Sequence, residues 1–364
     1  MTRIMRFTHS RLASRGYDVS YLHAEDVAAR ATLRRFAFPL GVFRHVRAEA
    51  RAGRPYDIVN VHEPSALMLL LGRGDSGNPR VVVTSHGVEQ RAWELALEEA
   101  RLGREGPSQK TRIVYPATSL WQSRYNLRHA DHVFCLNEED RDYLHSQLGV
   151  ARERTTRLVP GADPVFAATA AGRSYARAER LLFAATWRKN KGIEDLVPAI
   201  EELCRRRTAL ELTVLGAGVP DESVITAFHP DVRAQIRCVT AATEADTARA
   251  FAEADLFLLP SLFEGTPLTL MEAMMSGLPI VTTAVCGMRD VIDDRRNGLL
   301  IPIRSPHAIV EAVTTIIDSQ PLRAALGAAA RRDAQERYTW DHAAERIGRA
   351  YDHLLGRHEV PLAS

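Results

Sequence analysis

Two glutamates, Glu264 and Glu272, stand eight residues apart in "SLFEGTPLTLMEAMMSG" (261–277), around a Thr-Pro turn in a stretch that is otherwise apolar and helix-forming. Thr266 is a good N-cap and Pro267 suits the first helical position, so a helix is expected through "PLTLMEAMMS", stopping at Gly277. Glu264 then lies in the loop ahead of the helix, where Gly265 lets a ligand approach the backbone. A helix N-terminus presents N–H groups and the positive end of a dipole, which suits an anion. A carboxylate beside an anion site needs a different partner, and hydroxyl groups provide one. Glu272, two turns along, could accept from a second diol. A phosphate flanked by two polyols, as in a nucleotide sugar, fits the pattern of Glu264, Gly265, Thr266, Pro267, Leu268 and Glu272. The competing reading makes Glu264 a cap and Glu272 an ordinary helix acid.

Other segments add candidates. "WRKNKG" (187–192) places Arg188, Lys189 and Lys191 at a strand-to-helix turn, either a solvated basic turn or a set of cations for a departing diphosphate. "SHGVE" (85–89) puts His86, Gly87 and Glu89 after the strand candidate "RVVVT". Glu89 either orients an acceptor or caps the next helix, and His62 in "VHEP" reads as structural support. "LGAG" (215–218) ends a strand with Gly216 and Gly218, bordering a nucleotide or simply turning. Met271, Met274 and Met275 read as helix core. No aspartate-rich metal motif is evident.

These residues must be held by a scaffold. Short β-branched runs alternate with amphipathic helix-length stretches. The first half offers 18–22, 57–61, 80–84, 131–135 and 156–159; the second offers 181–185, 211–215, 236–240, 255–259, 279–283 and 299–302. Continuous apolar strands imply parallel sheets covered on both faces, so the expected fold is α/β with two doubly wound Rossmann-like domains. A Gly-, Pro- and Ala-rich seam at 160–174 divides them into 1–165 and 166–336, with C-terminal helices over 337–364 crossing back to the first domain. The start is anomalous. Met1, Ile4, Met5 and Leu12 share one helical face ahead of Gly16, so the chain opens with a helix where such a domain normally opens with a central strand and a Gly-rich turn.

Composition excludes several classes. The 364 residues carry a net charge of only +2, so no global field selects nucleic acid, and the four cysteines show no metal or redox spacing. The longest apolar run, 66–72, is far short of a membrane span, and no signal peptide is visible, so a cytosolic protein is expected. Residues 29–54 combine Arg30, Arg34, Arg35, Arg44, Arg47, Arg51 and Arg54 with Phe36, Phe38 and Phe43. This stretch either lies peripherally on an anionic inner membrane face near a lipid-linked acceptor, or is a solvated helix packed on the sheet.

"FEGTPLTLMEAMMSGLPIVTTAVCGMRDVIDDRRNGLLIP" resembles the donor-binding segment of GT-B retaining glycosyltransferases of family 4 (glycosyl transferases group 1), whose hallmark is a glutamate, seven residues, and a second glutamate. "PYDIVNVHEPSA", "VVVTSHGVEQRAWE", "ADHVFCLNEEDRDYL" and "RLVPGADPVF" resemble further family segments in the expected order. The resemblance implies two domains facing a cleft, and metal-independent, cofactor-free transfer of a hexose with retention. The donor would be a nucleoside diphosphate sugar and the acceptor a glycan, lipid-linked or small molecule. By the same resemblance Lys191 meets the diphosphate, His86 faces the transferred sugar, Gly87 admits the ligand, Glu264 binds sugar hydroxyls and Glu272 the ribose. The family's second cation has no match among Ala185, Thr186 and Trp187, and Arg188 is the substitute. Two rivals are a non-catalytic or truncated sugar-nucleotide-binding scaffold, and a nucleotide-sugar epimerase of the same architecture.

Overall fold

The computed structural model describes residues 2–23, 26, 31–74 and 78–357, without the side chains of 2–4 and 31–37. The chain divides into two compact units, 1–159 with 343–364, and 160–342. The sequence places these limits at 165/166 and 336/337. The structure assigns 160–165 to the second unit because Ala162 bridges to Thr339, and Asp163 caps the helix Pro164–Thr169.

The first unit is built on four parallel strands, β1 (Ile58–His62), β2 (Arg80–Thr84), β3 (His132–Cys135) and β4 (Thr155–Arg157), in that order across the sheet. Val61, Val83 and Val133 lie in register and are buried, with Leu127 and Leu144 packed from helices onto the same core. The helix Glu138–Ser146 starts at Asn137, whose side chain accepts from the Asp140 amide. The helix Trp340–Leu354 ends within this unit. Its Tyr351 hydroxyl accepts from Asn60 at 2.9 Å, and Tyr17 donates to Asp352 at 2.6 Å.

Residues 18–22 are not a strand. They run without regular structure, although "DVSYL" has strand composition. The basic-aromatic stretch forms the helix Ala31–Arg51, with residues 29 and 30 outside the described residues. Phe38 and Phe43 pack against the core, whereas Arg44, Arg47 and Arg51 are exposed. Phe38 and Phe43 of the expected membrane face are therefore turned inward, because the sheet offers them apolar area to cover, and the side chains of Arg34, Arg35 and Phe36 lie outside those described. No helix among the described residues is long and apolar enough to cross a membrane.

The second unit has six parallel strands: β5 (Arg180–Ala184), β6 (Glu211–Leu215), β7 (Ile236–Val239), β8 (Leu256–Leu259), β9 (Ile280–Thr283) and β10 (Leu299–Ile301). Their order is β10-β9-β8-β5-β6-β7. Counted from the unit's own first strand this is 6-5-4-1-2-3, the doubly wound order, and the chain reverses direction between β5 and β8. Arg173 ties this unit together, donating to the carbonyls of Phe251, Ala254 and Ser276 at 2.6–2.7 Å. It thereby satisfies main-chain acceptors where two helices end.

Candidate active site

Crevices at the carboxyl ends of parallel strands, at the point where strand order reverses, are where doubly wound sheets bind ligands. In the second unit two loops leave the sheet there. The first follows β5 and makes a 3-10 turn at Lys189–Lys191; the second follows β8 and runs from Pro260 to Pro267. They are stitched together. The Leu262 amide donates to the Asn190 carbonyl at 2.9 Å, and Gly192 packs so closely that a Cβ there would lie 1.9 Å from the Pro260 oxygen. Gly192 has φ +74°, so this position is reserved for glycine twice over, by conformation and by space.

Lys191 and Glu264 meet on this scaffold. The Lys191 ammonium lies 2.5 Å from Glu264 Oε1, which also accepts from the Ser261 hydroxyl at 2.9 Å. Their side chains are 18% and 12% exposed, shielded from bulk solvent yet open to a ligand. Arg188 lies on the same turn with an exposed side chain, and no hydrogen bond or ion pair joins its guanidinium to a described residue. Lys189 points elsewhere and pairs with Glu194 at 3.0 Å.

The helix after Glu264 begins later than expected. It spans Leu268–Met275, and Pro267 occupies the N-cap position, without a side-chain cap. Thr266 is buried, one residue before the cap, because the loop is pulled toward the helix Cys286–Val291: the Gly287 amide donates to the Gly265 carbonyl at 2.9 Å. A Cβ at Gly287 would sit 2.2 Å from that carbonyl oxygen. Leu268 opens the helix and Gly265 is buried beneath it. The helix stops as expected at Gly277 (φ +68°). The amides of Gly277 and Leu278 donate to the carbonyls of Met274 and Ala273, the two bonds of a Schellman cap. Glu272 is 2% exposed on this helix, among Leu270, Met271, Met274 and Met275. Gly216 (φ +70°) turns the chain after β6, and the next residue's carbonyl accepts from the Trp187 amide at 2.7 Å. Gly216 thus borders the Lys191 turn on its other side.

The first unit carries its own group of polar residues at the carboxyl ends of β1 and β2. His62 and His86 stack at 4.8 Å between ring centres, with Nδ1 of the first 2.6 Å from Nε2 of the second. Only one proton can sit between two such nitrogens, and both rings are pushed toward the neutral form. Burial and the facing His86 lower His62 to about 3, and burial lowers His86. Gly87 follows with φ +136°. Glu89 opens the helix Glu89–Arg101 and accepts from the Tyr115 hydroxyl. Glu63 is buried against Ser123, which donates to it, and burial raises its carboxyl to about 7.

The structure thus joins Lys191 and Glu264 directly, sets Gly265 to Pro267 on the adjoining loop with Leu268 at the start of its helix, and places Arg188 and Gly216 at its margins. His86 and Gly87 belong to the first unit's edge, where His62 is in direct contact with His86. Ser261, Asn190 and Gly287 escaped the sequence reading. Ser261 lies three residues before Glu264, a spacing that could have flagged it. The Asn190 and Gly287 contacts are main-chain and carry no compositional mark.

Cations and carboxylates gathered at the switch point of a doubly wound sheet suit anionic, hydroxyl-rich ligands. The comparisons narrow the class. Residues 3–166 match Glycosyltransferase Family 4 and residues 178–319 match Glycosyl transferases group 1. The chain belongs to the family 4, group 1 glycosyltransferases of GT-B fold. It is 28% identical over 336 residues to D-inositol 3-phosphate glycosyltransferase of Kineococcus radiotolerans, covering 85% of this chain and 74% of that one. Among solved structures it resembles sucrose-phosphate synthase of Thermosynechococcus elongatus (TM-score 0.70, 19% identity, 89% and 80% of the two chains). It also resembles HepE of Anabaena in complex with UDP (TM-score 0.65, 16% identity, 89% and 84%). The family match sets the epimerase reading aside.

Proposed function

We propose that this glycosyltransferase takes a hexose from a nucleoside diphosphate sugar held in the second unit, retains the anomeric configuration and needs no metal. The observation that carries the reading is the Lys191–Glu264 pair at the carboxyl ends of β5 and β8. In the free protein each neutralises the other. A bound donor would part them: the diphosphate takes the ammonium, and the sugar hydroxyls take the carboxylate.

In the transfer step the bond between the anomeric carbon and the phosphate oxygen breaks, and its electron pair leaves on the diphosphate. Lys191, with Arg188 beside it, stabilises that charge as it develops. The acceptor hydroxyl attacks from the same face, and its proton passes to the departing phosphate. Among the described residues no three His, Cys, Asp or Glu side chains gather as a metal site would need. His86 would face the transferred sugar by family resemblance, and its preference for the neutral form suits a hydrogen-bonding rather than a cationic role. Glu272 would bind the ribose.

The activity named for the Kineococcus relative supports a polyol or sugar acceptor, and the UDP complex of HepE supports a diphosphate donor. Among the described residues, a peripheral membrane location would rest on the exposed arginines Arg44, Arg47, Arg51 and Arg54, because Phe38 and Phe43 pack against the core. A non-catalytic scaffold remains the second reading, favoured by the first unit's opening on the helix Thr2–Ala13, with no described strand ahead of β1.

Titration of UDP, GDP and their sugars against the purified chain, followed by thermal unfolding, tests the donor site. A ligand at 100 times its Kd adds about 2.7 kcal/mol. A shift that disappears in Glu272→Ala assigns the nucleotide to this site and identifies its base. A folded protein that no nucleotide stabilises sinks the reading.

A further inference from the structure

At the carboxyl ends of β1 and β2 two side-chain pairs repeat one geometry. In register, Asn60 stands beside Val82 and His62 beside Thr84. Each of these two β1 residues reaches past its register partner to the side chain two places further on. The Thr84 hydroxyl donates to the Asn60 side-chain oxygen at 2.9 Å, and His86 Nε2 lies 2.6 Å from His62 Nδ1. The first pair is anchored in turn, because the Asn60 amide donates to the Tyr351 hydroxyl. The repeat carries the two-residue period of the strands into the loop that holds His86. The histidine pair is therefore one rung of a ladder rather than a chance meeting of two surface rings.

The rings are parallel within 11° but offset, with centres 4.8 Å apart and the facing nitrogens only 2.6 Å apart. The difference is about one ring diameter, so the nitrogens lie along the line of centres. The contact runs edge to edge, in the direction of a ring N–H and of a ring lone pair. Both rings are pushed toward the neutral form. A neutral imidazole has one donor and one acceptor nitrogen, and the bond made by one fixes the state of the other. Two arrangements are then open. If His62 Nδ1 carries the shared proton, His86 accepts at Nε2 and bears its own proton on Nδ1. If His86 Nε2 carries it, His86 Nδ1 is left with a lone pair. The second arrangement puts both histidines in the Nε2–H form, which neutral histidine prefers in water; the first puts both in the Nδ1–H form. The second also runs as the neighbouring pair runs, from the β2 side to the β1 side. His86 is exposed and His62 half-buried, and neither ring is hydrogen-bonded to another described residue.

We propose that His62 is a positioning residue for His86: by accepting from His86 Nε2 it keeps the proton off His86 Nδ1, so that this nitrogen accepts a hydrogen bond from a hydroxyl of the transferred sugar. The role rests on the donor-site reading above, in which His86 faces that sugar. His62 itself touches neither the sugar nor the diphosphate. A His86 without this partner exchanges between its two neutral forms, and whenever Nδ1 bears the proton the hydroxyl loses its acceptor. The pair thereby favours a group that can donate, a hydroxyl, over a fluorine or a methoxy group at the same place.

Nitrogen-15 NMR of the histidine rings and calorimetric titration test this together. Wild type is compared with His62→Phe, which keeps a ring and removes its nitrogens, and with His62→Asn, whose amide oxygen stands where Nδ1 stood. In wild type at neutral pH, His86 should carry its proton on Nε2, with a coupling across the bond to His62 Nδ1. In His62→Phe the His86 signals should move toward a mixture of the two forms, and in His62→Asn they should return. The titrants are UDP, UDP-glucose, GDP and GDP-mannose. His62→Phe should weaken the nucleotide sugar that wild type binds about two- to tenfold, the net worth of one neutral hydrogen bond, and leave the bare nucleotide unchanged. His62→Asn should recover most of that loss. A wild-type proton on His86 Nδ1 overturns the proposal, and so does an asparagine variant as weak as the phenylalanine one. Equal weakening of nucleotide and nucleotide sugar, or of neither, overturns it too. Should His62→Phe fail to fold, the wild-type spectrum alone still decides the tautomer. A wild type with the expected spectrum that binds none of the four titrants overturns the donor-site reading, and the role with it.

Discussion

The sheets of the two units differ in what they do with their first strand. In the second, β5 has neighbours on both sides, and the loops leaving β5 and β8 fall together at the reversal of strand order, where Lys191 meets Glu264. In the first, β1 to β4 run in sequence order across the sheet with no reversal among the described strands. Its polar groups lie at an open edge. Individual buried acids differ in the same way in what partners them. Burial pushes Asp255 and Asp333 upward, yet Arg180 and Arg296 hold both below the usual carboxylate range. Glu63 in the first unit has hydroxyl partners and no cation, and stays raised. The difference is local to each acid: Asp140 of the first unit has Arg91 at 2.6 Å, whereas no cation among the described residues sits beside Glu63 and its burial goes uncompensated.

The largest effect is expected where the comparison puts the chemistry. Lys191→Ala should lower kcat/KM about 100- to 1000-fold, the range for removing one preorganised group that stabilises developing charge. Its melting temperature should barely move, because an isolated partly exposed ion pair contributes about 0–1 kcal/mol. A variant that melts early and loses activity in proportion would make the pair structural. Next comes packing. Leu258 in β8 is fully buried, and Leu258→Ala should cost about 2–5 kcal/mol. Val59 in β1 is half-buried, and Val59→Ala should cost about 1 kcal/mol or less. Trp187 and Trp340 report on the second unit and Trp93 and Trp121 on the first, so tryptophan variants can separate the two transitions. Equal costs would mean that β1 is covered. Third, Gly192→Ala should destabilise the second unit by about 1–3 kcal/mol through strain and the Pro260 contact. The same change at Gly53, where a Cβ meets nothing within 4 Å, should lie at the bottom of that range.

Much of this division was legible in the sequence. Continuous apolar runs such as "LFLL" and "VVV" can only be strands buried on both faces, and all six strands of the second unit fall where the pattern puts them. The Gly277 stop and the opening helix were equally plain, because glycine chemistry and helical periodicity are local. Residues 18–22 were misread as a strand for a physical reason: strand composition becomes a strand only when a partner supplies hydrogen bonds. The Thr266 cap failed similarly. Its local signal was overridden by Gly287, distant in sequence, which draws the loop to the helix Cys286–Val291 by a main-chain bond. The Lys191–Glu264 contact spans 73 residues and follows from strand order, which no local pattern encodes.

The smallest effect tests the edge of the first unit through pH. Burial raises Glu63 to about 7, so the native state keeps a proton that the unfolded chain releases above about 4.5. Its contribution is complete below that value and is lost as pH rises through 7. His62 acts in the opposite sense. Lowered to about 3, it stays neutral in the native state while the unfolded chain takes up a proton below about 6.5. Its contribution is complete above 6.5 and is lost as pH falls toward 3. Burial lowers His86 and His132 of the same unit likewise, so between about 4.5 and 6.5 the slope of Glu63 offsets only part of the histidine slopes, and the first unit should lose stability on acidification. Glu63→Gln removes the Glu63 slope. Against wild type, the variant should fare best near pH 8, where a buried ionised carboxylate is relieved. It should then lose ground by at most about 1 kcal/mol per pH unit on acidification to 5. Urea titrations at half-unit steps, read from Trp93 and Trp121, measure that difference. Parallel curves for the two proteins would mean that Glu63 is ionised and solvated in the native state. The open edge would then be wetter than its packing implies, and the contrast with the cation-paired acids of the second unit would fall.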